Sequence, residues 1–223
     1  MNFFDQLKVE TKLDKKILLS SPIIVKAIDG TITLDEYVAF LGQAYHHVKH
    51  TVPLLMATGS RLPENYEWLR EAVAEYIEEE IGHQEWILND IAACGFNKDI
   101  ARNSNPIAST ELMVSYAYDM VQRVNPLGFF GMVHVLEGTS IAVADKAADG
   151  ILSTLSLPKN AFSYLYSHGS LDQDHVKFFE TLMNKINDPN EQKLIVHTAK
   201  MFYRLYGDIF RSLSVHHGLP LAD

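Results

Sequence analysis

The chain has 223 residues, enough for one large domain with a substantial core. A formal net charge of −9 argues against nucleic acid or an anionic membrane as a main partner. A single cysteine, Cys94, excludes an internal disulfide framework and suits a reducing compartment.

The opening Met1-Asn-Phe-Phe-Asp-Gln has no basic flank and no long apolar run, so no secretory leader is expected. No stretch approaches a membrane span free of polar residues, and a cytoplasmic protein is the expectation. Apolar residues recur at three- and four-residue spacing, and strand-like alternation is absent. This periodicity predicts a helix over residues 3–20 and a short one over 22–27, with Asp29-Gly30 turning the chain. Thr33-Leu-Asp-Glu36 reads as a capping box that opens a helix running to about residue 58. A long helix is expected over residues 64–94, closed by Gly95, and a polar connector over 97–108. Further helices are expected over 109–123 and 126–152. Pro158 starts another that continues or kinks through Gly169 to about 186. Asp188-Pro189 breaks it, and a last helix covers about 191–215. No repeat or linker divides the chain, so the expectation is an all-α bundle of about seven helices forming one domain over residues 1–223.

Three stretches place ionisable residues on stripes that should be apolar. At about 100° per residue, His168, Asp172 and His175 fall on one helix face with Leu171, Phe178, Phe179, Leu182 and Ile186. Asp174 falls on the outer side. In the 64–94 helix, Glu80 and His83 share a stripe with Leu69, Val73, Tyr76, Ile87 and Ile91. Glu79 lies on a more polar row, and the run Glu78, Glu79, Glu80 could equally be a solvated acidic face. Glu137 lies on a stripe with Leu127, Phe130, Ile141, Ala144 and Ala148, where an uncompensated carboxylate is costly. His134, three residues earlier, reads as a ligand, a partner to one, or a hydrogen-bonded core histidine. Three imidazoles and three carboxylates form the mixed oxygen and nitrogen set that suits two ferrous or manganous ions.

Other candidates are weaker. His46 and His50 share a mostly polar row, while His47 faces inward beside Phe40, Ala44 and Leu54. Hydrogen-bonded or solvated histidines are the plainer reading of this cluster, with a haem ligand as the alternative. Cys94 reads as core packing, and His216-His217 as exposed tail residues. Phe40, Tyr45, Tyr76, Phe130 and Phe179 would suit an amphiphilic or aromatic substrate, although such stripes are more often plain core.

The order of these elements resembles the haem-oxygenase-like di-iron oxidase family, related to TenA and PqqC proteins. In that family one helix gives a glutamate and a histidine, a later one a glutamate, and a third a His-x-x-x-Asp-x-x-His pattern. Those positions match Glu80 and His83, then Glu137, then His168, Asp172 and His175, and Tyr45-His-His-Val-Lys-His50 resembles a histidine-rich second helix of the family. The resemblance covers about residues 28–210. It implies dioxygen activation at a non-haem di-iron site acting on a small organic substrate, with these six residues as ligands. Glu80, Glu137 and Asp172 are then the catalytic carboxylates. The implied cofactor is two iron ions, with manganese as the alternative, and the implied partners are substrate and dioxygen, with a homodimer as the default assembly. The first ligand stays open among Glu75, Glu79 and Glu80. Competing readings are a TenA-like hydrolase of a thiamin-derived pyrimidine, for which Cys94 is the one available nucleophile, and a haem- or tetrapyrrole-binding protein.

Overall fold

The capping box at Thr33 forms as expected: Thr33 Oγ1 accepts from the Glu36 amide at 3.2 Å, and Glu36 Oε2 accepts from the Thr33 amide at 2.9 Å. A computed structural model describes the backbone of residues 1–213, and the side chains of that stretch apart from residues 168–175. His216 and His217 lie outside the described residues. The helices in order are α1 (Phe3–Glu10), α2 (Lys12–Leu19), α3 (Pro22–Ile28), α4 (Leu34–Val48), α5 (Thr51–Arg61) and α6 (Glu67–Glu80). There follow α7 (His83–Ala93), α8 (Lys98–Asn103), α9 (Ala108–Asp119), α10 (Phe129–Leu155), α11 (Ser163–Met183) and α12 (Pro189–Ser212). Among the described residues there is no extended strand, and the class is all-α.

The segments outnumber the seven or so expected, mainly because three expected helices are each cut once. The first is cut at Thr11, whose hydroxyl donates to Leu7 O at 2.7 Å and whose backbone leaves the helical region. The second is cut at Lys49-His50, between α4 and α5. The third is cut at Ile81-Gly82, where Gly82 adopts φ +97°, a conformation that costs glycine little. Hydrophobic periodicity does not see such cuts, because each half keeps its own apolar face.

Helix α10 is the axis of the bundle and packs against α3, α11 and α12. Gly131 lets it approach α12 closely, since a Cβ atom there would collide with Thr198 and the Ala199 amide. With the 3-10 turn before it, α10 is the segment among the described residues long and apolar enough to cross a membrane, but most of it is buried within the bundle. Helix α12 separates its faces sharply, burying Ile195, Ala199, Phe202, Tyr206 and Phe210. Helix α4 packs on α7 and α9, and α5 on α6. Helix α7 in turn packs on α11.

Candidate metal centre

Glu80 is the last residue of α6 and His83 the first of α7, so the cut at Gly82 sets their geometry. The expected shared face of one continuous helix is replaced by a bend, yet the two side chains still meet: His83 Nδ1 lies 3.0 Å from Glu80 Oε2. His83 is 2% exposed and its ring rests on Trp86, with centroids 4.1 Å apart. Glu75, Glu78 and Glu79 are exposed, whereas Glu80 turns toward the interior.

Glu80 and Glu137 line one cavity of about 70 Å³, reached from α6 and α10 respectively. Its walls include His47 and Val48 of α4, Tyr76 of α6, and Met132, Val133 and Leu136 of α10. Tyr76, 3% exposed and one turn before Glu80, lines the same cavity as Glu137 and is coupled to its carboxylate electrostatically. Burial, and next the Glu137 charge, push the Tyr76 phenol well above its ordinary pKa, so it stays protonated. His47 reaches the cavity from the far wall, its ring edge-on to Tyr206 at 5.6 Å.

His168, Asp172 and His175 sit on α11, and their side chains lie outside the described residues. The helix that carries them packs along α10, which bears Glu137, and against α7, which bears His83. Its start is held by Asp90 of α7, a fully buried carboxylate that accepts from Ser163 N at 3.1 Å, Tyr164 N at 2.9 Å and Ser163 Oγ. Asp90 thus caps α11 from another helix. Sequence reasoning passed over it. The available signal was an aspartate on the core row of Ile87 and Ile91, with Phe162-Ser163 opening a helix that has no acidic cap of its own. Tyr76 as the partner of Glu137 was also missed as a functional residue.

Other candidates fall elsewhere. His134 does not join Glu137: its Nε2 meets Thr11 Oγ1 at 3.2 Å, and its ring packs against Phe4, Phe179 and Tyr203. Because the Thr11 hydroxyl proton is committed to Leu7 O, Nε2 carries the hydrogen of this pair. Burial, and then Lys15 and Lys8, lower the His134 pKa to about 3. His46 Nε2 lies 2.8 Å from Ser104 Oγ, and His50 Nδ1 lies 3.1 Å from Tyr118 Oη. Cys94 caps α7 away from the cavity, and burial followed by Asp90 pushes its thiol up to about 12. Of the aromatic candidates, Tyr76 lines the carboxylate cavity and Phe40 an adjoining one, while Phe130 and Phe179 are plain core.

Among the described residues no three histidine, cysteine, aspartate or glutamate side chains form a cluster able to hold a metal ion. The placed donors nonetheless fit iron in kind. Two carboxylates share one largely apolar cavity, an imidazole rests against one of them, and oxygen with imidazole nitrogen is the donor set of non-haem iron.

Residues 38–207 match the family model described as an iron-containing redox enzyme. A search of curated proteins finds no match. Among solved structures, a domain of unknown function with a heme oxygenase-like fold from Shewanella denitrificans superposes with a TM-score of 0.84 at 23% identity, covering 96% of this chain and 92% of that one. A TenA homologue from Pseudomonas syringae pv. tomato gives 0.80 at 10% identity, covering 95% and 92%. Heme oxygenase-1 from the cyanobacterium Synechocystis, in complex with heme, gives 0.73 at 13% identity, covering 96% and 92%. At these identities the likenesses speak to the fold alone.

Proposed function

Since this chain belongs to the iron-containing redox enzyme family, whose model spans most of its length, we propose that it is a non-haem di-iron oxidase acting with dioxygen on a small organic substrate. The observation that carries this reading is that Glu80 and Glu137 line one cavity, with His83 against Glu80. The helix bearing His168, Asp172 and His175 packs on both neighbours. Glu80, His83, Glu137, His168, Asp172 and His175 are the proposed ligands, with manganese as the alternative metal.

When bound, iron supplies the capacity to reduce dioxygen. The chain's own residues do the rest. Carboxylates from α6, α10 and α11 balance the charge of the ions, and the imidazoles complete the donor set. The protonated Tyr76 phenol, in the same cavity, would support the Glu137 carboxylate as a neighbour of the ligands. Phe129, Met132, Val133 and Leu136 keep bulk water away from the carboxylates.

The hydrolase reading draws support from the TenA-like fold. Its one cysteine, however, sits outside the cavity with a thiol pushed up to about 12, which disfavours a nucleophilic thiolate. The test is metal analysis of protein purified without chelator, then dioxygen uptake after anaerobic addition of ferrous iron. Two irons per chain and oxygen consumption that survives Cys94→Ala support the oxidase. Turnover of a pyrimidine substrate that ignores iron and disappears in Cys94→Ala supports the hydrolase.

A further inference from the structure

Beside the carboxylate cavity lies a second one, also of about 70 Å³, and the two share Ser140, Tyr164 and Tyr206 as a common wall. Their linings differ sharply. The first carries Glu80, Glu137 and His47; no described charged residue or histidine lines the second. Its walls are aliphatic and aromatic, with Ile23 and Ile24 of α3, Val143 and Ile151 of α10, Phe40 of α4 and Phe210 of α12. The few polar atoms are mostly committed: Tyr37 Oη donates to Ala161 O at 2.7 Å and Ser140 Oγ to Leu136 O at 3.1 Å. Thr139 Oγ1 alone is recorded there as buried without a hydrogen-bond partner among the described residues.

The space is kept open by small residues. Ala27, Ala144 and Ala147 all line it, at positions where one larger apolar side chain would fill it. Cores pack to crystal-like density, and an unfilled apolar void lowers stability. Water gains little there, since a buried water needs two to four polar partners. A charged group entering would lose its hydration and find no counter-ion among the described residues. An apolar chain gives up only conformational freedom and gains the burial of its surface against these walls.

We infer that this apolar chamber seats the uncharged alkyl tail of the substrate, while the substrate's polar, reacting end lies beyond Ser140, Tyr164 and Tyr206 beside Glu80 and Glu137. The substrate class is an amphiphile with one polar end, as opposed to a diamine, a dicarboxylate or an amino acid with a charged side chain. The assignment of the reacting end rests on the proposed oxidase site; the tail seat rests on the chamber alone.

The test is calorimetric binding of 1-alkanols from butanol to decanol to metal-free protein, where neither iron nor turnover contributes. Affinity should rise about fourfold per added methylene until the chamber is full, then level off. The matching α,ω-diols should fall well below the alkanols of equal length. Ala147→Leu should move the plateau to shorter chains, and Ile151→Ala to longer ones, so that a folding failure in one still leaves the other to decide. Affinity independent of chain length, diols binding as well as alkanols, or plateaus unmoved in the folded variants would overturn the tail seat. Iron content and dioxygen uptake on the same preparations separate the two readings. Their absence with chain-length dependence intact removes the oxidase and keeps the tail seat, and the reverse result removes the tail seat alone.

Discussion

His83 Nδ1 and Glu80 Oε2 lie 3.0 Å apart across a break in the helix, and the residue that makes the break is Gly82 at φ +97°. A Cβ at Gly82 would meet nothing within 4 Å, so a side chain there is opposed by backbone conformation alone. Gly82→Ala should therefore cost about 1–2 kcal/mol. Because the strain is relieved by rebuilding the bend between Glu80 and His83, iron binding should weaken as well. Gly95→Ala is the control: Gly95 has φ +86° with equally open surroundings, but it closes α7 away from the cavity. Urea unfolding should show similar losses for the two variants, and iron titration should separate them. Equal iron affinity in both would detach Gly82 from the site.

Glu137 and its phenol partner should behave as ligand and support. Glu137→Gln should lose iron outright, whereas Tyr76→Phe should keep the fold and weaken iron binding by roughly 10- to 100-fold, the usual effect of removing a partner of a ligand. His175→Ala should likewise lose iron while circular dichroism shows an intact helical protein. Wild-type iron content in Tyr76→Phe would reduce the phenol to a packing detail.

Asp90 should matter more to stability than any surface carboxylate. Its two oxygens take two backbone amides and a hydroxyl at the start of α11, all in a buried setting. Asp90→Ala leaves those donors unsatisfied and should cost roughly 2–4 kcal/mol, read as a lower urea midpoint at unchanged slope. Asp90→Asn keeps an acceptor and should cost less. A loss below about 0.5 kcal/mol, the range of neutral surface changes, would show that α11 starts without this cap.

Acid should destabilise the fold through its buried neutral histidines. Burial lowers His134 to about 3 and His46 to about 4, while an imidazole in the unfolded chain protonates near 6.5. Between those values the unfolded state binds more protons than the folded one, so stability is lost as pH falls from about 6.5 toward 4. The slope is on the order of 1.4 kcal/mol per pH unit for each imidazole. Urea unfolding at pH 7, 6 and 5 reads it, and His134→Gln should flatten it. An unchanged slope in that variant would mean that His134 titrates alike in both states.

The sequence by itself determined the helical class, the capping box at Thr33 and the inward rows of Leu69, Val73, Tyr76, Ile87 and Ile91, because a 3.6-residue period and a short capping motif are local properties. It also singled out Glu80, His83 and Glu137, since ionisable side chains among apolar neighbours stand out wherever they fall. Tertiary structure decided what those residues meet. His134 and Glu137 share a stripe one turn apart, yet packing by Thr11 on one side and Tyr76 on the other sends them to different places. The bend at Gly82, the cap lent by Asp90 to a helix more than seventy positions later and the apolar chamber between α3, α4, α10 and α12 arise from contacts between distant segments. A periodicity carries no term for them. Each depends on which helices lie side by side, and that choice is made by the burial of all the apolar faces together.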